Sequence, residues 1–244
     1  MVEGVLIGGE KLIPKVIHYV WLGKKEKNKV HEKVLKSWKK RAPEYEIVEW
    51  NENNIPHIDN KFFNDALRNE KYAFASDFIR MYVLEKYGGV YMDLDMLLLK
   101  DPTEVLDGLD LAFSIQDKNV IFQTSFIAAN PHNSFIKQCL ELYDTLKFDS
   151  SELKANSELL TPLLLRNYPF QKKDETQIIN GACAYNSEIL LQPSFNSVAV
   201  HIGETSWKEN TSHDKLRIML RQYITNQFEA GIFKFVQDIA RKIL

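Results

Sequence analysis

YAFASDFIRMYVLEKYGGVYMDLDM (72–96) falls into two halves that follow different periods. In the first, Phe74, Phe78, Met81, Tyr82 and Leu84 recur at helical spacing, which predicts a helix over 72–87 with one apolar stripe. Gly88-Gly89 ends it, because glycine accepts the left-handed backbone in which helices commonly stop. The second half passes at once into VYMDLDMLLL (90–99), a predicted strand. Side chains alternate along a strand, so Asp93 and Asp95 are expected to share one side near its end.

Outward from this stretch the same alternation repeats. KVIHYVWLG (15–23), YEIVEW (45–50), LAFSI (111–115), SFIAA (125–129), EILLQ (188–192) and SVAVHI (197–202) read as strands. Helices are predicted over 28–40, with Val30, Val34, Leu35 and Trp38 on one face, and over 134–147 and 155–167. Strands alternating with helices predict an α/β fold with a mainly parallel sheet. Such sheets bind ligands beyond the carboxyl ends of their strands, where Asp93 and Asp95 are expected.

With 31 Lys/Arg against 33 Asp/Glu, the net charge of −2 excludes a strongly basic nucleic-acid protein. Two cysteines, Cys139 and Cys183, make no disulfide framework and predict a reducing compartment. No apolar run approaches a membrane span, and MVEGVLIGGEKLIPK lacks the basic start of a signal peptide, so a cytoplasmic location is expected. The charge is unevenly spread: Lys11 to Arg41 carries eleven basic residues against Glu26 and Glu32, and Asp214 to Leu244 carries six against three. From about 214, Leu216, Leu220, Tyr223, Ile224, Phe228, Ile232, Phe235, Val236, Ile239 and Ile243 recur at helical spacing among Lys and Arg. The reading is a domain over 1–213 and a tail over 214–244 of two amphipathic helices broken at Gly231. Such a tail packs on the core or a sister subunit, or lies on a membrane surface at the inner face of the plasma membrane.

Two carboxylates at a strand end supply hard oxygen donors for Mn²⁺ or Mg²⁺, which in turn suit a diphosphate. On the preceding helix Ser76, Asp77 and Arg80 lie within one turn, and Asp77 and Arg80 share a face. Arg80 stands among Phe78, Ile79, Met81 and Tyr82, so it is expected to be partly buried and to need a partner, Asp77 being nearest. That arrangement serves either as a salt bridge tying helix to strand or as a grip on sugar hydroxyls and phosphate.

ASDFIRMYVLEKYGGVYMDLDM resembles the central signature of the family 32 glycosyltransferases with a DXD sugar-binding region. That group includes initiating mannosyltransferases and capsule-polysaccharide transferases, and it is similar to the catalytic domains of clostridial glucosylating toxins. IPKVIHYVWLG (13–23) with WKKRAPEYEIVEWNENN (38–54) resembles its opening, and HIGETSW (201–207) its closing His-x5-Trp element. The resemblance implies a GT-A fold and a metal-dependent, retaining transfer of a hexose from a UDP- or GDP-sugar to a glycan or lipid-linked glycan of the cell surface. It implies Trp21 stacked on the base, with Ser76, Asp77, Arg80, Tyr91 and Asp93 around ribose and sugar. Trp207 would close over the diphosphate. Asp95 would ligate the metal directly and Asp93 through water, with His201 or Thr205 completing the set. Arg80 and the metal ion would neutralise the leaving diphosphate, which would help deprotonate the acceptor. IFQTSFIAAN (121–130) and Thr161-Pro162 depart from the family's asparagine-containing and Thr-Gly-Pro segments.

Three other readings compete. A catalytically silent sugar-nucleotide or glycan-binding module would have lost its metal ligands, yet both aspartates stand. A protein O-glycosyltransferase would differ only in acceptor. A haloacid-dehalogenase-like phosphatase also places Asp-x-Asp at a strand end, but Leu97 stands where that motif continues with Thr or Val.

Overall fold

The computed structural model describes residues 12–117, 121–149, 154–203 and 212–243. The chain opens with β1 (Val16–Val20), then α1 (Lys29–Arg41), β2 (Glu46–Trp50), α2 (Lys61–Arg68), α3 (Tyr72–Tyr87) and β3 (Gly89–Met92). It continues through β4 (Met96–Leu98), a 3-10 turn at Pro102–Val105, β5 (Leu111–Ser114), β6 (Gln123–Ala129), α4 (Ser134–Thr145) and α5 (Asn156–Asn167). The last elements are β7 (Gln177–Ile179), β8 (Ala182–Tyr185), α6 (Ser187–Leu190), β9 (Ala199–His201), α7 (Ser212–Arg221) and α8 (Gln227–Ile243).

Seven strands form one sheet in the order β2-β1-β3-β6-β5-β8-β7, and β4 pairs with β9 in a small second sheet. Five of the seven run in one direction, and β6 and β7 run against them, so the fold is α/β with a mostly parallel sheet. Each face has its own apolar core. Helices α2, α3, α4 and α5 cover one face through residues such as Phe63, Phe78, Phe135 and Leu164. On the other face α1, β4 and β9 pack with Ile218, Ile224 and Ala230 from the tail. Burying a side chain of this size stabilises the fold by about 1.5–3 kcal/mol, so these tail residues are structural members of that core.

The chain turns from α3 into β3 at Gly88 and Gly89, with φ of +64° and +92°. A Cβ on Gly88 would meet the Pro131 nitrogen at 2.6 Å, and one on Gly89 would meet the Val16 carbonyl oxygen at 2.7 Å. Only glycine fits both demands, and this tight turn delivers β3 alongside β1.

Three expectations need correction. The run 90–99 is not one strand: the chain turns after Met92, the Met96 amide donates to the Asp93 carbonyl at 2.9 Å, and pairing resumes in β4 with β9 instead of the main sheet. EILLQ (188–192) begins as the short helix α6, whose Leu190 fills the core from one helical turn where a strand was expected. The tail breaks at 222–226 and not at Gly231. Asn226 and Glu229 start α8 reciprocally, the Asn226 side chain accepting from the Glu229 amide at 3.0 Å and the Glu229 carboxylate from the Thr225 amide at 2.6 Å. Gly231 lies inside α8 because the Phe195 ring packs there, 2.1 Å from where a Cβ would stand. Helix α2 and strands β7 and β8 are elements that the sequence reading did not contain. Among the described residues no helix is long and apolar enough to cross a membrane.

Candidate active site

A cleft of about 1030 Å³ opens at the carboxyl ends of β1 and β3. Its centre is Arg80. The side chain comes off α3, a helix buried along most of its length, and is only 6% exposed. Its Nη1 donates to the Thr124 carbonyl at 2.9 Å and the Thr124 hydroxyl at 2.7 Å. Its Nη2 lies 3.1 Å from a carboxylate oxygen of Asp77 and 3.1 Å from Asp93 Oδ1. The guanidinium sits 4.7 Å from the centre of the Tyr91 ring, and the Tyr91 hydroxyl donates to the same Asp93 oxygen at 2.9 Å. Salt bridge and cleft lining are thus the same object, and the two readings of the Asp77–Arg80 pair do not compete.

The electrostatics follow from burial and neighbours. Desolvation disfavours the Arg80 charge, but Asp93, Tyr91 and Asp77 together outweigh it and hold the guanidinium protonated. Burial raises the Asp77 carboxyl to about 7, against the pull of Arg80. Burial, with the Asp93 carboxylate beside it, also keeps the Tyr91 hydroxyl protonated, far above the usual phenol range. Arg80 is thus held at the cleft wall by two carboxylates and the two oxygens of Thr124.

On the opposite wall Asp95 is 6% exposed and its Oδ2 lies 3.0 Å from His201 Nε2. The Gly203 amide donates to Oδ2 at 3.2 Å, and the Asp95 carbonyl accepts from the Ile202 amide at 2.9 Å. The pairing of β4 with β9 sets Met96 opposite His201 and so brings the end of β9 to the second aspartate. Burial would lower the His201 imidazole, but the charge and hydrogen bond of Asp95 outweigh it and raise the pKa. Asp93 and Asp95 therefore reach one cleft through a turn, not through strand alternation, and each has its own partners.

Trp21 follows β1 and borders the cleft, its indole N–H donating to the Lys25 carbonyl at 2.7 Å. The Lys27 ammonium lies 5.1 Å from the ring centre, and His31 meets the ring edge-on at 4.7 Å. Ser76 lines the cleft and donates to the Tyr72 carbonyl at 2.8 Å. Trp207 and Thr205 lie outside the described residues.

Residues 28–112 match the family described as the glycosyltransferase sugar-binding region containing the DXD motif. This stretch is similar to that glycosyltransferase region. Over 91 residues the chain is 33% identical to inositol phosphoceramide mannosyltransferase 3 of Schizosaccharomyces pombe, covering 34% of this chain and 24% of that protein. Over 117 residues it is 27% identical to subversion of eukaryotic traffic protein A of Legionella pneumophila, covering 37% of this chain and 18% of that protein. The chain thus spans about a quarter or less of the length of these curated relatives. The solved structure of the PaToxG glycosyltransferase superposes with a TM-score of 0.53 at 19% identity, covering 66% of this chain and 72% of the other. The fold is GT-A.

In this DXD region Asp93-Leu94-Asp95 is the motif itself. Adjacent donors on an octahedral Mg²⁺, bound at 2.0–2.1 Å, stand roughly 3 Å apart. The Asp95 and His201 donor atoms have that spacing, so a carboxylate and an imidazole fit one divalent ion. Asp93 Oδ1 is already taken by Arg80 and Tyr91, which suits contact with the metal through water. Among the described residues no group of three or more His, Cys, Asp or Glu could by itself hold a metal ion.

The sequence reading missed several cleft residues. Asn156 is 4% exposed, accepts from the Tyr143 hydroxyl at 2.8 Å and lines the cleft. It opens α5, and an asparagine at a helix start reads as a cap, so nothing in the pattern marked it. Arg221 is 3% exposed and donates to the His201 carbonyl at 2.6 Å and to the Gln192 side chain. Helix α7 also supplies Lys215, Arg217 and Met219 to the cleft wall. Asp174 and Glu188, which no pattern singled out as nucleophiles, are engaged elsewhere, with Ser187 and Lys234.

Proposed function

We propose that the chain transfers a hexose from a UDP- or GDP-sugar to a glycan intermediate of the cell surface, capsular or exopolysaccharide, with retention of anomeric configuration. The observation that carries this is the Arg80 hub and the Asp95–His201 pair facing one cleft. Trp21 stacks on the base, and Ser76, Asp77, Tyr91 and Asp93 take the ribose and sugar hydroxyls. Asp95 and His201 would hold Mn²⁺ or Mg²⁺, with Asp93 beside them; when bound, the ion would supply positive charge for the diphosphate.

The chemistry follows from charge. Cleavage of the sugar–phosphate bond leaves a nucleoside diphosphate, and Arg80, fixed by Thr124 and two carboxylates, presents a cation that needs no rearrangement as that charge grows. Asp77 and Asp93 orient the sugar by accepting hydrogen bonds from its hydroxyls. The departing phosphate oxygen takes the acceptor proton as the acceptor oxygen bonds to the anomeric carbon. We place this activity in the cytoplasm, at the inner face of the plasma membrane, where lipid-linked glycan acceptors are presented.

A thermal-shift panel of UDP- and GDP-sugars with and without Mn²⁺ tests the reading. A selective, Mn²⁺-dependent rise in melting temperature with one sugar nucleotide is expected. A panel without any shift removes the donor assignment.

A further inference from the structure

The tail helices carry apolar faces that none of the described residues covers. On α7, Leu216, Met219 and Leu220 lie at i, i+3 and i+4, Tyr223 follows just beyond its end, and each is at least 43% exposed. On α8, Phe228, Ile232, Phe235, Val236 and Ile239 form a second exposed stripe, while Ala230 on the other side is buried. Continuous exposed apolar surface of this kind marks a contact site.

Its neighbour in space is the basic helix α1. Lys29, Lys33, Lys36 and Lys40 recur at i, i+4, i+7 and i+11 and so form one stripe. The Lys33 ammonium donates to the carbonyls of Gln222 and Ile224, the latter at 2.7 Å, and Arg41 donates to the Thr225 carbonyl at 3.3 Å. The two ends of the chain, both basic in composition, therefore meet at the α7–α8 connection. An apolar face flanked by a lysine stripe matches an anionic lipid surface, apolar groups entering the headgroup boundary and ammonium groups meeting phosphates.

We propose that α7 and α8 lie on an anionic bilayer with the α1 lysines against its headgroups. This rests on the transfer reading for its purpose, because α7 is also a wall of the cleft. Met219 both borders the cleft and belongs to the exposed stripe. A bilayer seated there lies at the cleft mouth, and a lipid-borne acceptor reaches the donor without leaving the interface.

Flotation of the full chain with phosphatidylcholine vesicles, with and without phosphatidylglycerol, tests the docking. The chain is expected to float with the anionic vesicles on the order of ten-fold more than with the zwitterionic ones, and salt should erase the preference. Phe235→Glu should abolish flotation, and Lys36→Glu with Lys40→Glu should remove the preference for phosphatidylglycerol. These positions lie outside the cleft, so sugar-nucleotide thermal shifts should be unchanged. A chain that floats as expected yet binds no sugar nucleotide keeps the docking and removes the transfer reading. Absent or lipid-indifferent flotation overturns the proposal. So does a dimer in light scattering that Phe235→Glu converts to monomer, which would assign the face to a second copy of the chain.

Discussion

Asp95 Oδ2 and His201 Nε2 face each other at 3.0 Å across two segments more than a hundred residues apart in sequence. The pair is within hydrogen-bond distance and also has the spacing of two corners of a metal site. In Asp95→Asn the shape is kept and the charge is lost. Mn²⁺ affinity, read by paramagnetic resonance titration, is expected to fall by about 100-fold or more, with the circular dichroism spectrum unchanged. Unchanged Mn²⁺ affinity would place the ion elsewhere.

Arg221 is the tail's hold on that site, through the His201 carbonyl. Arg221→Met retains bulk and removes the donors. Mn²⁺ affinity should drop by about 10- to 100-fold, as for other groups that orient a ligand. A variant with wild-type Mn²⁺ binding would reduce Arg221 to a packing role.

Arg80→Met leaves Asp77 and Asp93, whose side chains are 14% and 31% exposed, beside each other without their cation. Removing one partner of a fully buried ion pair costs about 3–5 kcal/mol, and with these partly exposed carboxylates urea unfolding should show a loss of about 2–3 kcal/mol. Thr124→Val removes only one of two acceptors on Nη1 and should cost about 1 kcal/mol. Equal losses in the two variants would contradict the hub.

Trp21→Ala should weaken UDP or GDP binding by about 1–3 kcal/mol in calorimetry, by analogy with base–aromatic stacking. An affinity that does not change would mean the indole serves only Lys25, Lys27 and His31.

His18 gives the fold a pH dependence. Burial lowers its imidazole to about 4, against the hydrogen bond to the Gly88 carbonyl, and Trp50 donates to its other nitrogen at 3.1 Å. The folded pKa lies below the unfolded value of 6.5, so the unfolded chain gains the proton first. This contribution is complete above the unfolded pKa and is lost as the pH falls from there toward 4, by about 3 kcal/mol in all. Urea unfolding of wild type and His18→Gln across that window should show the wild type losing the larger share; parallel curves would refute it.

The α/β alternation was legible because buried strands and amphipathic helices write their periods into the chain, as in 15–23 and 72–87. The site was legible where its parts are close in sequence: Asp77, Arg80, Tyr91, Asp93 and Asp95 all fall within one helix, one strand and the turn after it. The reason given for the two aspartates was still wrong, because a turn and not strand alternation turns them to the cleft. Thr124 was noted only within the segment 121–130 that departs from the family, and Asn156 and Arg221 escaped notice, because only folding brings them to Arg80, Tyr143 and His201. The break at Asn226 was written locally, as an asparagine three residues before a glutamate, and was overlooked in favour of Gly231.

Strand β6 runs against β3, so Thr124, near the start of one strand, and Asp93, just past the end of the other, meet the same Arg80. In a wholly parallel sheet every residue on this rim would be a strand exit, tied to the register of the strand before it. Here one side of the arginine's support is a strand entry, governed by the segment leading into β6. Substitutions there can reshape this side of the cleft while Asp93, Asp95 and the glycine turn before them stay as they are, which makes the two sides of the arginine separately adjustable.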